Sequence, residues 1–89
     1  MDFIKEAVEV ANKTFNGDFK AINYGSNDKF EVVTMVNDDL EKFGDGFEYP
    51  RYLHNKATDQ KFLAEVLLGI ENIKGFEDLD FSSLSYRSL

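Results

Sequence analysis

The chain carries one histidine, His54, and this residue is the first candidate for acid–base chemistry. An imidazole titrates near neutral pH and acts as a general base when a carboxylate orients it beside a nucleophile or substrate. Carboxylates and tyrosines are plentiful, but the sequence contains no nucleophile elbow, glycine-rich phosphate loop or paired-histidine motif. We therefore interpret His54 as a surface or helix-approach residue and predict that the protein is not an enzyme. An enzyme that pairs His54 with a carboxylate is the minority alternative.

Oxygen ligands for calcium are the second candidate chemistry. An EF-hand loop places oxygen ligands at alternate positions and at the twelfth, with a glycine at the sixth for a sharp turn. Counted from Asn37, the matching residues are Asn37, Asp39, Glu41, Asp45 and Glu48. Lys42 stands at the glycine position, and the preceding residues have the pattern of a strand where the motif has a helix. The sequence has no cysteine. We therefore predict no metal site, no cofactor and no thiolate chemistry.

Clustered acidic residues are the most informative feature of the sequence, whose net charge is -7. The first acidic segment, residues 38–48, contains one basic residue, Lys42, and five acidic residues: Asp38, Asp39, Glu41, Asp45 and Glu48. The second acidic group consists of Glu77, Asp78 and Asp80. Outside these two groups the chain has nine acidic and nine basic residues, so the two groups account for the whole net charge.

Such clustering favours an interface for a basic protein, although a solvated face that maintains solubility is the simpler interpretation. Carboxylates spaced along a surface imitate a row of phosphates, so a nucleic-acid-handling protein is the expected partner. Tyr49 and Tyr52 are the expected anchoring contacts, because tyrosine tolerates a wet edge and is enriched at interfaces. The negative charge argues against direct binding to nucleic acid or to anionic membranes.

In size and charge the chain resembles small phage- and mobile-element-encoded inhibitors of host enzymes, including anti-CRISPR, anti-restriction and polymerase-inhibiting proteins. Many of those proteins are short, acidic, cysteine-poor single domains. The resemblance implies an inhibitor that mimics nucleic acid, and it assigns no role to a particular residue. The alternative from another class is a small assembly subunit that associates with itself through the edge of a β-hairpin or through a second helix.

The elements that position these residues begin with an amphipathic helix over residues 3–15. Its apolar stripe consists of Ile4, Val8, Ala11 and Phe15. Asp2 is the expected N-cap, and Asn16 followed by Gly17 is the expected stop. Residues 18–24 and 29–36 alternate as strands around a turn at 25–28, which predicts a hairpin whose second strand is covered on both faces. A short third strand from Phe47 through Tyr49 and Tyr52 is confined to a sheet edge by Pro50.

A second helix is predicted from Thr58 to Gly75, on an apolar stripe of Phe62, Leu63, Val66, Leu67, Ile70 and Ile73. Residues 76–89 are compatible with a final strand, a short helix or an ordered coil. The sequence thus predicts an α+β fold over residues 1–89 as a single compact domain. An antiparallel hairpin of two or three strands is packed by two helices, in the order α-β-β-(β)-α. No segment has the pattern of a signal peptide or a membrane span, so we expect a soluble, cytoplasmic protein.

Overall fold

The computed structural model describes residues 2–37, 49–64 and 70–89 of the chain. Within these ranges a five-stranded antiparallel sheet packs against one α-helix on one face. Its other face is covered by residues 70–84 of the C-terminal segment, which is defined as residues 70–89 and ends in a strand of the sheet. The helix is α1 (Phe3–Phe15), and the strands are β1 (Phe19–Ser26), β2 (Phe30–Asn37), β3 (Arg51–Asn55), β4 (Gln60–Ala64) and β5 (Ser85–Ser88). The α+β class predicted from the sequence is confirmed.

Helix α1 begins and ends at the predicted residues. The Asp2 carboxylate accepts a hydrogen bond from the backbone N–H of Ile4 at 3.1 Å, which satisfies one of the unpaired donors at the helix start. Asn16 ends the helix in the left-handed conformation, with a φ of 51°. Ala7 and Ala11 are fully buried against the sheet. Small side chains on this face allow the helix axis to approach the strands closely.

The β1–β2 hairpin is confirmed, and β2 lies at the centre of the sheet order β4-β3-β2-β1-β5. Val33 and Met35 face α1 and form the helix-side core. Phe30 and Val32 face the C-terminal segment and pack with Phe76. We call this face of the sheet the tail-side face and its apolar cluster the tail-side core. Both faces of β2 are therefore covered, as its two-sided apolar pattern predicted.

The predicted third strand is wrong in its position. Strand β3 lies between β2 and β4, so it is an interior strand. Pro50 immediately precedes β3, and its carbonyl accepts a hydrogen bond from the N–H of Met35 at 3.0 Å. A proline directly before a strand does not interrupt the ladder, so the argument that confined this strand to an edge fails. Phe47 lies outside the described residues.

The predicted second helix is wrong over residues 58–64. Thr58 and Asp59 lie in the turn between β3 and β4, and Gln60–Ala64 is a strand paired antiparallel with β3. The Asn55 carboxamide oxygen accepts hydrogen bonds from the N–H groups of Ala57 (2.9 Å) and Thr58 (3.3 Å). This side chain therefore closes the turn that sends the chain back as β4. Residues 65–69 lie outside the description, and Ile70–Asn72 is a single 3-10 turn.

The C-terminal segment crosses the tail-side face and then joins the sheet. Phe76 is fully buried, with its ring centroid 6.0 Å from that of Phe30. A 3-10 turn at Phe81–Ser83 leads into β5, which pairs antiparallel with β1. The final strand was one of the three conformations that the sequence left open. Among the described residues, no helix combines the length and apolar character required to cross a bilayer.

Candidate functional site

The first acidic segment leaves the sheet at one end of β2. Its carboxylates Asp38, Asp39, Glu41, Asp45 and Glu48 lie outside the described residues, so their predicted role remains a prediction. The flanking residues are described: Asn37 is the last residue of β2, and Tyr49 precedes β3 by two residues. The Tyr49 side chain is exposed, and its carbonyl accepts a hydrogen bond from Arg51 Nη1 at 3.1 Å. An exposed aromatic ring thus stands beside the point where the acidic segment rejoins the sheet.

The second acidic group has partners within the protein. Asp78 Oδ2 lies 3.0 Å from Lys29 Nζ, and both side chains are exposed. Asp80 caps the 3-10 turn, with its Oδ1 accepting from the N–H (3.0 Å) and Oγ–H (2.7 Å) of Ser82, and these bonds hold the pKa of the carboxyl below its usual value. Glu77 accepts a hydrogen bond from the Gly75 N–H at 2.5 Å. These carboxylates order the C-terminal segment.

The described anchors of the two acidic regions lie at opposite ends of β2. Lys29, which pairs with Asp78, directly precedes the strand, whereas Asn37 ends it. At about 3.4 Å per residue, a strand of this length separates the two positions by roughly 25 Å. Asp78 is thus held at the far end of β2 from the exit of the first acidic segment.

Tyr52 is part of the core. Its side chain is 7% exposed, it stacks on Phe3 with ring centroids 5.3 Å apart, and its hydroxyl donates to Glu6 Oε2 at 2.7 Å. Burial, with a contribution from the Glu6 hydrogen bond, raises the pKa of the phenol. A ring in this position holds α1 to the sheet and is not presented to a partner, so of the two predicted tyrosine anchors only Tyr49 lies on the surface.

The structure places His54 in a hydrogen-bonded network of side chains that crosses three strands. Its Nδ1 lies 2.6 Å from Glu31 Oε2, and its Nε2 lies 2.7 Å from Asp59 Oδ1. The other oxygen of Glu31 accepts a hydrogen bond from the Tyr24 hydroxyl at 2.7 Å. His54 and Glu31 are mostly buried, with side chains 14% and 15% exposed, whereas Asp59 is 84% exposed. The sequence did not predict this network, because the network depends on the register that sets Glu31 opposite His54.

Both ring nitrogens of His54 are occupied by carboxylates. An ionised carboxylate only accepts hydrogen bonds, so the doubly protonated imidazolium is the form that satisfies both contacts. A general base needs a ring nitrogen that faces the proton it removes. The arrangement therefore links β1, β2, β3 and the β3–β4 turn electrostatically and leaves neither nitrogen directed at a substrate.

An ion pair beside this network connects the helix to the sheet. Lys61 Nζ on β4 lies 2.9 Å from Glu6 Oε2 on α1. The hydrogen bond from Lys61, followed by that from Tyr52, lowers the pKa of the Glu6 carboxyl. The same hydrogen bond raises the pKa of Lys61. The charged forms of both groups are therefore favoured in the folded protein.

The described residues contain no group of three or more histidine, cysteine or acidic side chains arranged to hold a metal ion. No protein-family model matches the chain, and comparison with curated proteins and with solved structures gives no significant match.

Proposed function

We propose that this protein is a non-enzymatic binding module that presents acidic side chains to a basic, nucleic-acid-handling protein. The observation that carries the proposal is the confinement of uncompensated charge. The described residues contain eleven acidic and nine basic side chains, so the body of the fold is close to neutral. Most of the net charge of -7 belongs to the first acidic segment. A charge placed in one connection produces a local field that steers a basic partner.

The contacts of the second acidic group give the two regions different weight. Asp78 and Asp80 are engaged with Lys29 and Ser82, and Glu77 with the backbone of Gly75. Binding a partner through these carboxylates would compete with the contacts that order the C-terminal segment. The proposal therefore rests first on the segment between Asn37 and Tyr49, with the second group in a supporting role.

The expected partner chemistry is a groove that normally holds a phosphate backbone. Arginine and lysine side chains in such a groove pair with carboxylates as they do with phosphates. An acidic protein that occupies the groove excludes nucleic acid from it, which is the mode of action of an inhibitor. Tyr49 supplies an exposed aromatic contact next to the acidic segment. Aromatic anchors slow dissociation once charge has brought two proteins together.

Self-assembly through the hairpin edge stays an untested alternative, and the strand pairing does not favour it. Strand β1 pairs with β5 and strand β2 pairs with β3, so both edges of the hairpin are covered. The second helix proposed for the same role is replaced over residues 60–64 by strand β4.

The test compares two triple variants that change the net charge equally. The first neutralises Asp38, Asp39 and Glu41, and the control neutralises Glu9, Asp18 and Glu71, which are exposed in the described structure. Each protein is immobilised and exposed to nuclease-treated lysate of the native host, and retained proteins are eluted with salt. The affinity of a captured basic protein is then measured with each variant, with and without a competing DNA duplex.

We expect the first variant to bind about threefold to a hundredfold more weakly at low salt, since three exposed charge pairs at about 0.2–1 kcal/mol each sum to roughly 0.6–3 kcal/mol. The control variant should bind like the parent protein, and the duplex should compete with binding. Equal weakening by both variants would show that only overall charge matters. Simultaneous binding of the duplex and this protein would rule out nucleic-acid mimicry.

A further inference from the structure

Strand β5 forms one edge of the sheet, and among the described residues no strand pairs with its outer side. The N–H of Leu89 donates to the Ile22 carbonyl at 3.0 Å, so this N–H points inward to β1. Neighbouring residues of an antiparallel strand direct their backbone groups to opposite sides. The N–H and C=O groups of Tyr86 and Ser88 therefore point outward, away from β1.

The outer edge of β5 is accessible and already ordered. All residues of Ser85–Ser88 are exposed, and the strand contains neither lysine nor proline, which commonly protect an edge from pairing. Its register with β1 is regular, without a bulge that would twist the edge away. The Tyr86 ring lies on Gly25, where a Cβ atom would come within 2.5 Å of Tyr86 Cε1, and its hydroxyl donates to the Phe81 carbonyl at 2.9 Å. A strand that adds to this edge therefore meets a backbone that is fixed before binding.

A cleft of about 580 Å³ lies beside this edge, on the face of the sheet that α1 covers. The residues that line it include Asp2, Phe3, Ile4, Tyr24, Glu31 and Arg87. The two carboxylates have partners, because Asp2 caps the helix and Glu31 accepts from Tyr24 and contacts His54.

Arg87 is the cation of this cleft and the one charged residue of β5. It pairs with Tyr24 across the strands, and its guanidinium carbon lies 5.2 Å from the centroid of that ring. Within the part of the chain that the structure describes, no carboxylate lies within ion-pair distance of Arg87. A guanidinium stacked on an aromatic face keeps its hydrogen-bond donors available at its edge. The cleft therefore offers a positive charge to a side chain that enters from β5.

We propose that β5 binds an extended peptide segment of another protein, which adds to the sheet antiparallel and places an acidic side chain opposite Arg87. Tyr86 and Ser88 make the backbone hydrogen bonds in that pairing. The residue opposite Arg87 then belongs to a non-hydrogen-bonded pair, in which facing side chains are closest. A glutamate or aspartate at this position forms charge-assisted hydrogen bonds with the guanidinium. On the other face, a β-branched residue opposite Tyr86 packs on its half-exposed ring.

A second copy of this chain is a poorer occupant of the edge. Pairing two β5 strands with Tyr86 opposite Ser88 would set the Arg87 side chains of the two copies against each other, and like charges directly opposite are destabilising. Each copy also carries a net charge of -7, which opposes association. The charge at this edge therefore favours a partner strand that contributes a single carboxylate.

The experiment is a titration of the uniformly ¹⁵N-labelled protein with the blocked peptide acetyl-Thr-Val-Glu-Val-Thr-amide, followed by ¹H–¹⁵N correlation spectra. The counterpart peptide has glutamine in place of glutamate. We expect saturable shifts that map to residues 85–89, with slower amide hydrogen exchange at Tyr86 and Ser88, whose outward N–H groups gain partners. The glutamate peptide should bind about two- to fivefold more tightly than the glutamine peptide, which is the effect of one cross-strand ion pair.

Two variants separate the ion pair from the backbone contacts. Arg87→Gln should remove the preference for the glutamate peptide. Lys13→Gln is the matched control, because it makes the same change in charge at an exposed position in the last turn of α1, and it should keep the preference. Ser88→Pro removes an outward donor and leaves the inward hydrogen bonds in place, so both peptides should bind about two- to tenfold more weakly.

The same spectra report whether each variant is folded, and the titration of the unmodified protein needs no variant. Shifts that do not saturate, or that map to the other edge of the sheet at β4, would overturn the proposal. It would also fail if the two peptides bound equally, or if β5 shifts appeared with protein concentration alone, which would assign the edge to a second copy. The first acidic segment takes no part in this site, so either proposal can fail without the other.

Discussion

Lys29 Nζ and Asp78 Oδ2 form an ion pair at 3.0 Å, which holds the second acidic group at the turn between β1 and β2. The same contact places this carboxylate at the opposite end of β2 from Asn37, where the first acidic segment begins. The two regions that carry the net charge are therefore separate in the sequence, and they are attached at opposite ends of β2. This geometry, together with the contacts of the individual side chains, leads to five predictions.

Asp78→Asn should leave the fold nearly unchanged. The side chains of Lys29 and Asp78 are 45% and 79% exposed, and exposed ion pairs contribute about 0–1 kcal/mol. Urea denaturation followed by circular dichroism should therefore give a free energy of unfolding within about 1 kcal/mol of the parent protein. A much larger loss would mean that this ion pair is essential for docking the C-terminal segment.

His54→Ala should destabilise the protein more than Asp59→Asn does. Removal of the imidazole leaves the mostly buried Glu31 carboxylate without its hydrogen-bonding partner at Oε2, which costs on the order of 2–3 kcal/mol. Asp59 is exposed, and its left-handed φ of 62° is tolerated by asparagine, so Asp59→Asn should cost about 1 kcal/mol or less. Urea denaturation of both variants makes the comparison. Equal losses would contradict this expectation, because the contact with Asp59 would then account for the whole contribution of the ring.

Glu6 should contribute to stability at neutral pH and lose that contribution in acid. Its folded-state pKa lies below the ordinary value of 4.5, mainly because Lys61 donates to it. A depressed carboxyl pKa stabilises the fold fully above the unfolded-state value and progressively less as the pH falls through the folded-state value. The difference in free energy of unfolding between the parent protein and Glu6→Gln should therefore shrink as the pH is lowered from about 6 to about 3, an interval that includes the unfolded-state pKa of the carboxyl. A difference that stays constant with pH would contradict this linkage.

Tyr52 should produce the opposite dependence in alkali. Burial and the bond to Glu6 raise its folded-state pKa above the ordinary value of 10.0. The neutral phenol therefore contributes stability that is present below pH 10.0 and is lost as the pH rises above it. Thermal unfolding of Tyr52→Phe should show a lower midpoint at neutral pH but a shallower decline in alkali. Tyr24 and Tyr86, whose pKa values are also raised, keep part of the decline in both proteins.

Phe76→Ala should be far more damaging than the same substitution at Phe62. Phe76 is fully buried against Phe30, and truncating a buried phenylalanine costs about 3–5 kcal/mol. Phe62 is 43% exposed on β4, so Phe62→Ala should cost about 1 kcal/mol. Chemical denaturation of the pair provides the measurement. Comparable losses would mean that the C-terminal segment is not part of the cooperative core.

The sequence determined the elements whose signals are local. Helix α1 has a cap at Asp2, an apolar stripe and a stop at Asn16, and all three act within a few residues of chain. The hairpin follows equally from alternation and from the turn residues around Asn27, whose side chain accepts from the N–H groups of Lys29 and Phe30. Such signals are readable because the interacting groups are neighbours in sequence.

Strand β4 shows where the sequence misled. The apolar residues at Phe62 and Leu63 fit both a helical stripe and a short strand, and periodicity does not separate the two in a short run. The decision comes from pairing with β3, which supplies backbone partners to Gln60–Ala64, and from the turn closed by Asn55. The pairing of β5 with β1 is likewise a long-range contact that the weak alternation of the C-terminal residues does not specify.

The candidate sites divide in the same way. Charge clustering in the first acidic segment and in the second acidic group is a property of the sequence and was visible without a structure. The burial of Tyr52, the contacts of His54 with Glu31 and Asp59, and the position of Arg87 opposite Tyr24 depend on register between strands. Only the tertiary structure decided them, because strand pairing brings together side chains whose separation along the chain carries no signal.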